Sequence, residues 1–395
     1  MTDQETGPRQ PLHGVRVIDF TAVVAGPWAT RLLADNGAEV IKIEAVGDGD
    51  ILRFAPPVNG GMSRVYAHFN RGKKSVTLDL KSPAGLDVAR RLIQSADVVV
   101  ENFRPGVMGR LGIDYAAVVK DNPKLVYCSI SGYGQTGPDA GKAAYAPVVH
   151  AASGFDHVMA AAQGGDKPLI GGIMVADYVA AIYAFGAIQT ALLHRERNGL
   201  GSQVEVTLME AMMSLVAIQM QEAQCDQTLA TRVFTPLPTV DGFISVPLVS
   251  VKSYLSVYDV IGRSDWRNST DYSRMAGIAA NRAKIEAAVA AWTATRTSGE
   301  CIQALTAAGV PCSAYAAPGD LFDHPHLSQR GVFADLEDAA GRFSVMNPPF
   351  RIIGLPCGGA PVVARAGEDT VSTIRQALDI GDEQFRSLEA AGAFG

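Results

Sequence analysis

One carboxylate in this sequence sits where it could do chemistry. Asp177 closes the segment Pro168-Leu-Ile-Gly-Gly-Ile-Met-Val-Ala-Asp177 and opens a long apolar stretch. An acid in the first turn of a helix is stabilised in its ionised form, typically by ~0.3–1 kcal/mol. An ionised carboxylate in mostly apolar surroundings is able to act as a nucleophile. The same placement also suits a helix-start acid with no chemistry. Local context leaves both readings open.

A second set of residues is basic. Asn70-Arg-Gly-Lys-Lys74 is followed by Leu78 and Lys81, then by Asn102-Phe-Arg104 and Arg110. Clustered Arg and Lys can hold phosphates, Arg by bidentate contacts and Lys as a point charge. An ordinary solvated basic face fits the same residues. No GxGxxG or GxxxxGK[ST] occurs, and the glycines of Gly132–Gly141 lack that spacing, so a Rossmann dinucleotide or Walker-type site is not expected.

The histidines are weaker signals. His324 and His326 form an HxH in a Pro-containing turn near Asp320 and Asp323, which reads as surface or structure before metal. His150 and His157 flank Ala-Ala-Ser-Gly and read as partly buried helix residues, with an approach to a site as the alternative. There is no HExxH or GxSxG. The cysteines, Cys128, Cys225, Cys301, Cys312 and Cys357, make no CxxC pair and read as reduced thiols, with no metal site expected.

The elements that must carry these residues alternate between strand and helix. Residues 15–20, 39–43, 97–101 and 125–130 are short apolar runs, expected as strands. A helix is expected from Pro27 to about Asn36 with Gly37 as its stop. Another is expected over 83–95, with Ser82 as N-cap and Pro83 in the first turn. Residues 173–195 read as one long apolar helix, followed by strand 203–207 and helix 209–223. The alternation predicts a parallel, doubly wound α/β sheet with ligands beyond the carboxyl ends of its strands. From 241 a new unit is expected: strand 243–249, helices 252–262, 282–296 and 298–308, and strand 311–316. Helices near 369–379 and 382–391 close the chain.

Of 395 residues, 48% are apolar and only 19% charged. Average domains carry about 25% charge, so a large core and a subunit interface are expected. No run reaches the ~18 uninterrupted apolar residues of a membrane span. The net charge of −6 disfavours non-specific nucleic-acid binding, which needs a basic stripe. The polar amino-terminal ten residues carry no signal-peptide pattern, and the expected location is cytoplasmic.

Several long pieces, in order, resemble the family III CoA-transferases, the group of formyl-CoA transferase and crotonobetainyl-CoA:carnitine CoA-transferase. They are GVRVIDFTAVVAGPWATRLLADNGAEVIKIE, NRGKKSVTLDLKSPAG, ADVVVENFRPGVMGRLGI, NPKLVYCSISGYGQTGP, PLIGGIMVADYVAA, AGVPCSAY, DHPHLSQRGVF and LEAAGAF. The resemblance implies that Asp177 is the nucleophile. It implies that CoA is contacted by Val24, Ala25, Leu78, Lys81, Asn102, Phe103, Arg104 and Arg110, with Arg53 serving where the family has an arginine at Ala45. No cofactor is implied beyond CoA or acyl-CoA as substrate, and the partners implied are a carboxylic acid and a second copy of the chain, with no nucleic acid and no membrane.

The family's architecture implies a Rossmann-like large domain over 1–223, a linker over 224–240, a smaller α/β domain over 241–335 and a segment, 336–395, that returns to the large domain. Each chain is then ring-like, and two interlock in a homodimer. Departures from the formyl-CoA transferase pattern lie at Val24 (a glutamine there), in residues 241–251 and in Ala144-Tyr-Ala-Pro147. They point away from formate and oxalate toward a different, less polar acid. The same fold serves α-methylacyl-CoA racemase, but residues 144–147 lack the histidine and acid that reaction needs. A CoA-binding protein without catalysis leaves Asp177 unexplained. A nicotinamide dehydrogenase is suggested by the βα pattern alone.

Overall fold

The computed structural model describes residues 9–169, 171–225 and 234–395. The chain divides into two compact units, residues 1–228 with 328–395, and residues 229–327.

The first unit is built on a six-stranded sheet. Its elements are β1 (Arg16–Asp19), α1 (Ala25–Asp35), β2 (Glu39–Glu44), β3 (Lys74–Thr77), α2 (Pro83–Gln94), β4 (Val98–Glu101), β5 (Val126–Ser131), α3 (Ala146–Ala152), α4 (Val175–Asn198), β6 (Ser202–Thr207) and α5 (Leu208–Leu215). The strand order is β3-β2-β1-β4-β5-β6, and every pairing is parallel. Central strands such as Val98–Glu101 are buried on both faces, which is why they read as unbroken apolar runs. One core, with Val17, Val40 and Val100, packs under α1 and α4. The other, with Ile18, Ile41 and Val99, packs under α2 and takes in Ile374 and Phe385 of the carboxyl-terminal helices.

Local chemistry sets several boundaries as expected. The Ser82 hydroxyl accepts from the Gly85 amide at 2.9 Å, and Pro83 follows in the first turn. Helix α1 starts two residues before Pro27, which loses no hydrogen bond there because first-turn amides have no intrahelical acceptor. The expected helix 209–223 breaks at Val216 into two. Strand β3 is absent from the sequence reading, where its lysine counted as part of a basic cluster. It is a four-residue edge strand. Helix α4 is long and apolar enough to cross a membrane by length and composition. Along one face it packs on α1, α5 and the sheet, and Ala180, Ala184 and Ile188 lie in the core.

The second unit has a three-stranded antiparallel sheet, Leu237–Thr239, Gly242–Ser245 and Ser313–Ala314. Helices Val251–Val260, Arg282–Thr293 and Ser298–Ala307 surround a core that includes Tyr258, Trp266 and Tyr272. The expected limits of 241–335 need correction. A hairpin of Phe333–Asp338 against Gly341–Met346 straddles the 335/336 boundary. It belongs to the first unit, where Arg64 pairs with Asp338 at 2.8 Å. Residues 226–233 of the expected linker lie outside the described residues.

Candidate active site

The strand order reverses direction between β1 and β4, and their carboxyl ends leave a crevice there, the usual place for a ligand in such a sheet. The loop after β1 and the loop after β4 are tied across it. The Ala22 amide donates to Asn102 Oδ1 at 2.9 Å, and Asn102 Nδ2 donates to the Ala22 carbonyl at 2.8 Å. Two cavities open on either side of this tie. One, of about 270 Å³, has Ala25, Arg104, Lys142, Tyr145 and Asp177 in its walls. The other, of about 560 Å³, has Lys42, Glu44, Asp50, Leu78 and Lys81 in its walls. Ala22 and Phe103 line both, so the cavities adjoin.

Asp177 stands in the first turn of α4, in the wall of the smaller cavity. Burial pushes its carboxyl up to about 6, and the amides of Ala25 and of Asp177 itself pull the other way by favouring the charged form. Helix α1 explains the first of these. Its N-cap, Val24, has no side-chain acceptor for the free amides of the opening turn. Asp177, from another helix, shares a cavity wall with Ala25, whose amide favours the charged carboxylate. The result is a half-buried carboxylate that is largely ionised at neutral pH, its charged form favoured by backbone amides. Behind it, Trp28, Phe69 and Tyr178 pack edge to face or tilted. The buried His150 accepts the Ala176 amide on Nε2 at 3.0 Å, which fixes the start of α4.

The expected ligand contacts divide. Ala25, Asn102, Phe103 and Arg104 line the smaller cavity with Asp177, and Leu78, Lys81 and Phe103 line the larger. Val24 does not reach either. Its side chain is fully buried in the core under α1, so only its backbone belongs to the loop. Arg53 is also drawn elsewhere. It pairs with Glu44, donates to Tyr66 Oη and to the Ala364 carbonyl, and lies over the Tyr66 ring. Arg110 is exposed at the end of a short helix, outside both cavity walls, with its guanidinium near Gly106.

The basic run at 71–74 is corrected as a phosphate surface. Arg71 is buried against Asp35 at 3.1 Å, Lys73 against Asp19 at 3.0 Å, and Lys74 pairs with Glu39 at 2.7 Å. Burial pushes the Asp19 carboxyl up, but Lys73, Lys42, Thr21 and Thr30 outweigh it and hold it at about 2. Each lysine or arginine there answers an acid some 35–54 positions earlier. Lys81 and Arg104 remain as the cavity cations of the expected set.

Lys142 was not anticipated. It follows the glycine-rich turn after β5 and reaches the smaller cavity, with Asp139 beside it at 2.8 Å. Nothing in its sequence neighbourhood signals this. Gly171-Gly172, which precede α4, are exposed and outside the walls of both cavities.

Fold and site together define an α/β protein with a half-buried carboxylate at the switch point of a parallel sheet, beside two adjoining cavities. The chain matches the family model described as CoA-transferase family III over residues 12–370, and it belongs to that family. It is similar to the succinate–glutarate CoA-transferase of Agrobacterium fabrum, 33% identical over 86% of this chain and 88% of that protein. It is also similar to the human succinyl-CoA:glutarate CoA-transferase, 29% identical over 97% and 90% of the two chains. Among solved structures, a CAIB/BAIF family protein from Brucella suis superposes with a TM-score of 0.81 at 27% identity, over 93% of this chain and 100% of that one.

Proposed function

We propose that this protein moves CoA from an acyl-CoA donor to a free carboxylic acid, with Asp177 as the nucleophile. The observation that carries the reading is the half-buried Asp177 carboxylate in the wall of the smaller cavity beside Ala25, next to the Asn102–Ala22 tie. Membership of CoA-transferase family III supports it.

In this mechanism an Asp177 oxygen attacks the thioester carbon of the donor. The carbon–sulfur bond breaks, CoA leaves as the thiolate and a mixed anhydride remains on Asp177. The thiolate attacks the aspartyl carbonyl, which gives an aspartyl-CoA thioester and releases the first acid as its carboxylate. The acceptor carboxylate then attacks that thioester and expels the thiolate again. The thiolate takes the acceptor's acyl group from the new anhydride and frees Asp177. No proton and no redox partner is needed. The requirements are a held thiolate, backbone donors near developing oxyanions and exclusion of water from the anhydride.

The larger cavity is assigned to the nucleotide end of CoA, with Lys81 near its phosphates, and the smaller to the acyl group. The acyl cavity combines apolar Ala144, Ile130 and Leu208 with the Lys142 ammonium. That pairing suits a short dicarboxylic acid, with one end at Asp177 and the other at Lys142. The names of the two relatives, both acting on succinate or succinyl-CoA and glutarate, support this class. An interlocked homodimer is part of the proposal. Exposed apolar residues on one side of α4, Ile182, Tyr183 and Leu193, support a covering partner. Light scattering then gives a dimer that survives dilution.

The racemase alternative is not favoured, because the wall segment Ala144-Tyr145 supplies no acid–base pair. The test of the function is transfer from succinyl-CoA to glutarate by the wild type and by Asp177→Ala. Transfer is lost in the folded variant if the reading holds. Undiminished transfer rejects it.

A further inference from the structure

Val23 has a backbone φ of 68°. For a β-branched residue this is a strained conformation that surrounding structure must hold in place, and such strain tends to cluster where a site needs it. The loop around it is pinned on every side. The Thr21 amide and hydroxyl donate to Asp19 Oδ1 at 2.9 and 2.5 Å. The Thr21 carbonyl accepts from Lys42 Nζ at 2.7 Å. Ala22 is held at both ends by Asn102. The Val23 amide itself donates to Asp50 Oδ1 at 3.4 Å, and the other Asp50 oxygen pairs with Lys42 Nζ at 3.0 Å. Both partners of that pair are almost completely buried. Two residues after Val23 comes Ala25, which lines the same cavity as Asp177 and whose amide favours the charged carboxylate.

We infer that the buried Asp50–Lys42 pair is a positioning device for the reaction: it holds Val23 at positive φ and thereby aims the Ala25 amide at the Asp177 carboxylate. Neither Asp50 nor Lys42 lines the cavity that contains Asp177. They act through the backbone. A relaxed Val23 would return to negative φ, rotate the chain into α1 and take the donor away. The other charged groups in the wall of that cavity are Lys142, paired with Asp139, and Arg104, with Tyr178 next on the helix. The inference rests on the proposed role of Asp177 as nucleophile.

The test compares Asp50→Ala with Asp50→Ala combined with Val23→Gly, in succinyl-CoA to glutarate transfer across pH. Asp50→Ala is expected to lower kcat about tenfold or more. It also moves the acid limb of the pH profile upward, because the lost amide no longer favours the charged carboxylate. The added glycine restores most of kcat and returns the limb, since glycine adopts positive φ without a clamp. A role only in folding or in CoA binding predicts the opposite pattern: less folded protein or a higher KM, with no gain from glycine. A double variant no more active than Asp50→Ala overturns the inference, as does an unmoved acid limb. Should Asp50→Ala not fold, Val23→Pro, with the ion pair intact and φ fixed near −65°, takes its place. It is expected to lose kcat and shift the limb, and wild-type values for both overturn the inference. Failure of the underlying reading is distinct, because Asp177→Asn then keeps full transfer whatever Asp50 does.

Discussion

The Asn102 side chain takes both backbone polar groups of Ala22, accepting from its amide at 2.9 Å and donating to its carbonyl at 2.8 Å. This single residue joins the two loops at the switch point of the sheet. On one side of the join lies the cavity with Asp177, and on the other the cavity with Lys81. Substitution of Asn102 by alanine leaves both Ala22 groups without partners, a loss of about 1–3 kcal/mol if they stay buried. Asn102→Ala should therefore lower kcat and weaken CoA binding together, as steady-state kinetics and calorimetry can read. A variant with unchanged kcat would mean that the tie is not needed for the reaction.

The pH dependence follows from Asp177. Burial lifts its carboxyl to about 6, above an ordinary aspartate. On the proposed mechanism the attacking carboxylate must be ionised, so kcat/KM should be level above about pH 7 and fall with decreasing pH through about 6. Well below that point the fall is about tenfold per pH unit. A profile flat to pH 5 would contradict this.

The two kinds of basic residue should behave differently. Lys81, in the wall of the larger cavity, should when changed to alanine raise the KM for acyl-CoA with kcat largely kept, and the effect should shrink at high salt. Arg53→Ala instead leaves the buried Glu44 without its partner, and such losses destabilise by about 3–5 kcal/mol. Urea unfolding separates the two. Equal stability of both variants with equal KM effects would refute the division.

Acid should unfold the protein through the same buried carboxylates. For Glu44, burial raises the carboxyl, but Arg53, Lys42 and Ser75 outweigh it and hold it at about 2, as Asp19 is held. The folded state thus keeps both groups ionised at pH values where the unfolded chain has begun to protonate them. Their contribution is complete above about pH 4.5 and is lost as the pH falls toward 2. Urea midpoints measured at pH 6, 4 and 3 should fall in that order, and less steeply for Glu44→Gln.

The sequence made the sheet and the position of Asp177 legible because their signals are local. Four of the six strands of the parallel sheet are apolar runs of four to six residues, and Ser82-Pro83 marks a helix start within two residues. The charges were harder. Arg71 and Lys73 look like free cations in a run of five residues, and only folding brings Asp35 and Asp19 to them. Val23 carries no sign of its positive φ, since a valine normally prefers extended backbone. Lys142 reaches the smaller cavity by a loop path that has no periodic signature.

If Lys142 reads the far carboxylate of a dicarboxylic acid, Lys142→Ala should raise the KM for glutarate about tenfold or more and leave a monocarboxylic acceptor nearly unaffected. Charge-assisted contacts of this kind are worth roughly 1.5–3 kcal/mol. Equal effects on both acceptors would remove Lys142 from substrate selection.

The central claim is that Asp177 carries CoA covalently. Incubation with succinyl-CoA and hydroxylamine, followed by peptide mass spectrometry, tests it most directly. Hydroxylamine attacks the aspartyl-CoA thioester, releases CoA and leaves a hydroxamate on the aspartate. The account predicts the hydroxamate on the peptide containing Asp177, with matching loss of activity and no label in Asp177→Asn. Continued turnover with Asp177 unmodified, or a hydroxamate on another residue, would contradict it.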